Sequence, residues 1–250
     1  MAMDRMALEI YSRQIMMGEI GETGQEKLAG ASVLVIGCGG LGSPALYYLA
    51  AMGIGKLGLC DGDNVSLSNL NRQLLFTADD VGKPKASTAE KRLLALNPQL
   101  KTLVYDRLFD DDLAGKLVPE YDIMVDCLDN FETRFILNDA CVVAGKPFVH
   151  AGIGEFFGQL MTVTPGKGPC LRCLFPGEKG KKKPVEPPGV VGPTPGVLGA
   201  MQALEAMKYL LGLPVSNNGL IVYDGLNMSL EKVPIMPAHG CVCTSTKATA

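Results

Sequence analysis

Apolar positions along this chain follow two rhythms that take turns. Short continuous runs rich in Val, Ile and Leu lie at Ser32 to Gly37, Lys56 to Asp61, Lys101 to Tyr105, Ile123 to Asp129 and Pro147 to Ala151. Runs of this kind suit strands that are buried on both faces of a parallel sheet. Between them, apolar residues recur at helical spacing over Gly42 to Met52, Pro84 to Leu96 and Glu132 to Ala144. Asn97-Pro98 closes the second of these helices, and a further helix is expected between the strands at Lys101 and Ile123. Residues 5–28 carry apolar residues at mixed helical spacing, broken by Gly18, Gly21 and Gly24, and predict short helices ahead of the first strand. Strand and helix alternating in this way predict a Rossmann-like, doubly wound α/β sheet.

Beyond residue 150 the pattern changes. Gln159 to Thr164 predicts a strand that pairs antiparallel with its neighbour. Residues 166–196, dense in Pro, Gly and Lys, show no period and predict a flexible crossover loop; loops this long are functional or mobile. A helix over Val197 to Leu211 and strands at Leu220 to Asp224 and Leu230 to Pro234 follow, adding antiparallel strands in the C-terminal half. Residues 244–250 are small and polar and are expected to fray. No internal repeat or linker divides the chain, so residues 1–250 read as one domain.

Composition narrows the function classes. With 250 residues, 47% hydrophobic and 20% charged, the chain can build one substantial core. A formal net charge of -3 offers no field for nucleic acid or a membrane surface. No apolar run reaches the roughly 18 residues that span a bilayer. The start MAMDRMALEIYSRQ carries acids and lacks an apolar signal core, which points to the cytoplasm. Cys38, Cys60, Cys127 and Cys141 lie singly in apolar segments, as small buried hydrophobes do. Cys170/Cys173 and Cys241/Cys243 are close pairs, a spacing that in a cytosolic chain suggests metal before disulfide.

The first strand runs into VLVIGCGGLGSPAL, which fits GxGxxG at Gly37, Gly39 and Gly42, with Gly40 between them. Glycines there let the chain turn tightly and let backbone N–H groups approach an anion at a helix N-terminus. Asp61, an acid about 20 residues on, sits where a ribose is met. These features alone also fit an NAD-dependent oxidoreductase. The polar stretch DGDNVSLSNLNRQLLF, ending in Arg72 and Gln73, has no evident use in hydride transfer. Pro84 suits a first helical position and puts Lys85 in the first turn, where a cation opposes the helix dipole. Lys85 is therefore either solvated or shares the helix end with an anion. Arg72 and Lys85 near one glycine loop would neutralise a polyphosphate. Asp129, just past a strand end, suits Mg²⁺ beside phosphates, and either Asp129 or Asn130 caps the next helix.

Together with YSRQI at residues 11–15, VGKPKA at 81–86, DCLDN at 126–130 and CLRCLFP at 170–176, these motifs run in order along nearly the whole chain. In them the chain resembles the ubiquitin-activating-like adenylyltransferase superfamily. Its bacterial branch contains the molybdopterin-synthase and thiazole-biosynthesis sulfur-carrier adenylyltransferases. The resemblance implies that the C-terminal glycine carboxylate of a small ubiquitin-like carrier ending in Gly-Gly attacks the α-phosphate of ATP, giving an acyl-adenylate and pyrophosphate. It implies that Gly40 and its loop lie under the nucleotide and Asp61 holds the ribose. Asn69, Arg72 and Lys85 would contact the phosphates and Asp129 would bind Mg²⁺, with Ser68, Gln73 and Asn130 also among the cofactor-binding residues. Arg13, by itself an arginine in a helical leader, matches the family's arginine finger, which reaches from residues 1–30 into the partner's site in a homodimer. The family's structural Zn²⁺ uses two CxxC pairs. Here Cys170 and Cys173 keep one, while the second reads Cys241-Val-Cys243, and His239 is an alternative ligand. No cysteine lies between Cys173 and Cys241, so covalent capture of the carrier by that loop is not expected. The run EKGKKKP, residues 178–184, is a solvated loop or steers an acidic carrier.

Overall fold

The computed structural model describes residues 5–177 and 189–244. Three short helices, α1 (Arg5–Ile10), α2 (Ser12–Ile15) and α3 (Gly21–Gly30), lead into β1 (Ser32–Ile36) and α4 (Gly42–Ala51). Next come β2 (Lys56–Cys60), α5 (Lys85–Leu96), β3 (Lys101–Tyr105), α6 (Asp111–Leu117), β4 (Ile123–Asp126) and α7 (Phe131–Ala144). The C-terminal part holds β5 (Phe148–Gly154), β6 (Phe157–Val163), α8 (Leu171–Leu174), α9 (Pro193–Leu211), β7 (Gly219–Asp224) and β8 (Ser229–Pro234).

The strands form one sheet in the order β3-β2-β1-β4-β5-β6-β7-β8. The first five are parallel, and β6 to β8 add on antiparallel. Alternate residues of β1 serve opposite cores, as the two-residue period of a strand requires. Val33 and Val35 join the layer with α4, α5 and α9, whereas Leu34 and Ile36 join the layer with α6 and α7. The apolar runs are continuous because both faces are covered.

Register decides where the carboxyl ends of the strands emerge. Ile36 is level with Cys60 on one side and Asp126 on the other, and Asp126 is level with His150. The loops after β1, β2 and β4 therefore leave the sheet at one rim. Gly37 turns away from β1 with φ +97°, and a Cβ there would lie 2.5 Å from the Cys127 carbonyl oxygen. A Cβ on Gly42 would lie 2.0 Å from the Gly37 carbonyl oxygen. These two glycines are contact points between the loops, and no larger residue fits either one.

Three expectations change in detail. The C-terminal helix starts at Pro193 instead of Val197, and α8 lies within the expected crossover loop. Pro84 is the N-cap of α5, with ψ 135°, so Lys85 is the first helical residue. The strand at Ile123 ends at Asp126 and leaves Asp129 beyond it. The lysine run and the end of the tail lie outside the described residues. No helix among the described residues is long and apolar enough to cross a membrane.

Gly42→Ala forces a methyl group onto the Gly37 carbonyl. It is expected to lower unfolding free energy by about 1–3 kcal/mol, read as a lower urea midpoint at unchanged slope.

Candidate nucleotide site

The shared rim encloses a cavity of about 630 Å³, within the roughly 300–1,000 Å³ of small-molecule sites. Gly37, Gly39 and Gly40 form its floor, and Asp61, Arg72, Gln73, Lys85, Asp129 and Asn130 stand around it. Gly42, Ser68, Asn69 and Arg13 are not on its wall. Gly42 packs behind the loop, as described above. Ser68 is exposed, its hydroxyl paired with that of Ser66. The Asn69 side chain accepts from the Ser66 N–H at 3.2 Å. Arg13 is exposed on α2.

Asp61 follows β2 and is fixed by two backbone donors. Cys38 N–H reaches Oδ2 at 2.7 Å and Asp63 N–H reaches Oδ1 at 2.8 Å. Burial pushes its carboxyl above the usual range, and these two bonds oppose the rise. Lys85 is buried and donates to the Asp63 carboxylate at 2.9 Å. The Lys85 N–H also donates to the Asp63 carbonyl at 2.9 Å. The anion at this helix end is thus a side chain of the protein, and Asp106 accepts from the Ser87 N–H one step further along. Lys85 is therefore not merely solvated, and the partner it has in this structure is Asp63.

Arg72 donates from Nη1 to the Ser68 carbonyl and to Asn71 Oδ1, both at 2.9 Å, and its head lies at the cavity edge. Gln73 is buried and its Oε1 has no hydrogen-bond partner. A buried acceptor left unpaired is costly, so the site holds one amide that a ligand can satisfy. Asn130 caps α7 by accepting from the Thr133 N–H at 2.9 Å. That leaves the exposed Asp129 carboxylate on the wall, with the Asn130 amide at 3.4 Å. It is a hard oxygen donor beside the place for phosphates, the donor type that Mg²⁺ takes.

Sequence reasoning passed over Asp63 and Arg134, both on the wall. Asp63 was visible as the second acid of DGD. Arg134 had the signal of its position, one helical turn after the Asn130 cap. Cys60 and Cys127 also line the cavity, and burial pushes the Cys60 thiol up to about 12 and Cys127 well above its ordinary value. Neither is a thiolate nucleophile at neutral pH. His150 is fully buried below the cavity, with Nδ1 at 2.6 Å from Asp126 Oδ2. It supports the sheet and does not reach the wall.

Away from this cavity, the sulfurs of Cys170, Cys173, Cys241 and Cys243 all lie within 4.8 Å of one another. Four of the six separations are 3.3 to 4.0 Å. A tetrahedron with zinc–sulfur bonds of about 2.3 Å has edges of about 3.8 Å, so the cage is compatible with that ion. Both sulfurs of the CxC pair belong to the set, and His239 is exposed and outside it. The Ala238 N–H donates to Cys173 Sγ at 3.2 Å, the kind of contact that orients a ligating thiolate.

His150 generates a pH prediction. Burial holds its imidazole below the ordinary value, so the fold favours the neutral ring. The stability tied to it is present above the unfolded pKa of about 6.5 and is lost as pH falls below it. The stability difference between the native chain and His150→Asn is therefore expected to shrink between about pH 7.5 and 5.5, measured by urea titration at each pH.

Comparison with known proteins agrees with this geometry. The Sulfur carrier protein adenylyltransferase of Thermus thermophilus is 42% identical, over 94% of this chain and 90% of its own length. The Sulfur carrier protein ThiS adenylyltransferase of Escherichia coli is 41% identical, over 95% of this chain and 96% of its own. The solved structure of Escherichia coli MccB with ATP superposes with a TM-score of 0.80 at 28% identity, covering 93% of this chain and 73% of that one. The ThiF family profile matches residues 11–244. By this match and these relatives, the chain belongs to the ThiF family.

Proposed function

We propose that this protein adenylylates the C-terminal glycine carboxylate of a small ubiquitin-like sulfur carrier, for sulfur transfer in molybdopterin or thiazole biosynthesis. The observation that carries the reading is the convergence of Gly40, Asp61, Arg72, Lys85 and Asp129 on one cavity whose wall carries no histidine. A carboxylate is ionised at neutral pH and attacks the α-phosphate without losing a proton. The reaction then needs alignment and charge neutralisation, which these side chains supply. The MccB structure with ATP and the relatives named for sulfur carriers support the same substrates.

In this reading the Gly39–Gly40 backbone underlies the phosphates and Asp61 takes the ribose hydroxyls. Lys85 exchanges part of its contact with Asp63 for phosphate oxygen. Arg72 turns from its own loop carbonyl to the same anion, and the unpaired Gln73 Oε1 accepts from a donor of the ligand. Ser68 and Asn69 reach the phosphates when their segment closes inward. Asp129, with Asn130 holding the helix behind it, ligates Mg²⁺, which neutralises phosphate charge when bound. Arg13 serves the site of a second copy in a homodimer. Met6, Ile10, Met16 and Met17, all exposed on or beside α1 and α2, give that pairing an apolar face. Four thiolates hold a structural Zn²⁺ that pins the C-terminal segment to α8. The absence of cysteine from 174–240 ends this chain's chemistry at the adenylate, and the stretch MAMDRMALEIYSRQ, which carries acids and no signal-like apolar core, supports a cytoplasmic enzyme. An NAD-dependent oxidoreductase would leave Arg72, Lys85 and the four cysteines without a use.

ATP–pyrophosphate exchange is expected to depend on Mg²⁺ and on a carrier ending in Gly-Gly. Lys85→Ala and Asp129→Ala should each lower it by about 10²-fold or more, the scale of removing one charge-stabilising group. No exchange with any such carrier would reject the reading, while full exchange in both variants would reject only the residues. Metal analysis should find about one Zn²⁺ per chain. Cys170→Ser should lose it and melt at lower temperature.

A further inference from the structure

Asp129 has little to aim it. It is exposed, and among the described residues its side chain meets only the Asn130 amide, at 3.4 Å. Where its carboxylate stands then depends on the main chain that carries it. Leu128, the residue before it, is held through both of its flanking peptides. Its N–H donates to Asp126 Oδ1 at 3.1 Å, and its carbonyl accepts from Arg134 Nη2. The same Nη2 donates to the Ala151 carbonyl of β5 at 2.9 Å. Arg134 Nε lies 3.7 Å from Asp126 Oδ2, and the ring Asp126–Leu128–Arg134 closes on itself.

Burying these groups is costly unless each charge meets its opposite. Asp126 is fully buried and Arg134 nearly so. His150 Nδ1 fixes the second oxygen of Asp126, and Gln159 Nε2 stands 3.3 Å from His150 Nε2. A fold that needed only an apolar layer under the cavity would be served by Leu or Met here. An ion pair that grips one particular peptide, directly before the one carboxylate assigned to a metal, is a different arrangement.

We propose that Arg134, acting with Asp126, is a positioning residue that sets the Asp129 carboxylate for Mg²⁺. The proposal rests on the adenylyltransferase reading of the site. Arg134 itself donates to two main-chain carbonyls and pairs with Asp126, so it acts through the Leu128 peptide and not on substrate. Nη2 alone serves both carbonyls while Nε faces the Asp126 carboxylate at 3.7 Å without a hydrogen bond; a lysine ammonium matches the charge but cannot place one nitrogen on the carbonyls and another beside the carboxylate. Groups behind a metal ligand typically govern about 10- to 100-fold in metal affinity or activity.

The test is a Mn²⁺ titration followed by electron paramagnetic resonance, on the full chain with a non-hydrolysable ATP analogue, alongside thermal unfolding. Mn²⁺ affinity is read per folded site and does not follow a loss of folded protein. Arg134→Met is expected to weaken Mn²⁺ by roughly 10- to 100-fold. Arg134→Lys should recover thermal stability toward the native value without recovering Mn²⁺ affinity, and it carries the test should the Met variant fail to fold. Native Mn²⁺ affinity in whichever of the two folds overturns the proposal, because a purely structural arginine would move only the melting temperature. Asp129→Ala separates the two levels. If it binds Mn²⁺ as tightly as the native chain, the metal assignment falls and the proposal with it. If it weakens Mn²⁺ while the arginine variants do not, only the positioning role is rejected.

Discussion

The approach of two loops at Gly37 governs the rest of this site. A parallel sheet can bring several strand ends to one level, but the turns beyond them collide unless one of them lacks a side chain. Here the Cys127 carbonyl sits where a Cβ of residue 37 would be, and the Gly37 carbonyl sits where a Cβ of residue 42 would be. Backbone is packed on backbone, so the glycine floor and the segment carrying Asp129 share one position. Moving either loop moves the other. The distance between the phosphate cradle and the acid opposite it is thereby built into main-chain packing, which is stiffer than any arrangement of long side chains.

Around that fixed frame the site's two buried cations are paired before any nucleotide arrives. Asp63 neutralises Lys85 and Asp126 faces Arg134 and His150, while Arg72 rests on the neutral Ser68 carbonyl and Asn71 amide oxygen. Burying unpaired charge would cost several kcal/mol per ion, so a site rich in buried cations needs resident partners. In the proposed reading a triphosphate would enter by exchange of partners and not by filling an empty positive field. The Asp63–Lys85 pair has a further geometric use. Asp63 links the backbone donor on Asp61 to the first residue of α5, so Asp61 and Lys85 move as one unit.

Much of this was legible in the chain. Continuous Val/Ile/Leu runs gave the parallel strands, and GxGxxG after a strand located the cradle, since both follow from local sterics. Asp61, Arg72, Lys85 and Asp129 carried their signal in residue type and position beside that loop. Helix starts were less visible: Pro84 looks like a first helical residue, but the Val65 and Asp63 contacts of its neighbours hold it extended. α9 begins four residues early because Thr194 bonds to the Glu155 carbonyl, a contact 39 positions away in sequence. Arg134 and Asp63 were missed for the same kind of reason. Arg134 is an ordinary surface-type residue until Asp126 and Ala151 of distant strands close around it, and Asp63, still exposed, takes its meaning from Lys85, 22 positions on.

The cysteine cage has a consequence for how the chain holds together. Cys173 and Cys243 are 70 positions apart, and between them lie α9 and the last two strands, β7 and β8. A cross-link over that span removes a large share of the freedom open to the unfolded chain, and the gain grows with the logarithm of the loop it closes. β8 is an edge strand with exposed residues along nearly its full length, and it has few apolar contacts of its own to keep it in place. With the Zn²⁺ of the proposed reading bound, the outer border of the sheet would be tied by a chelate as well as by its ladder to β7. Zinc supply would then bear, through this one knot, on how firmly the C-terminal third of the molecule stays folded.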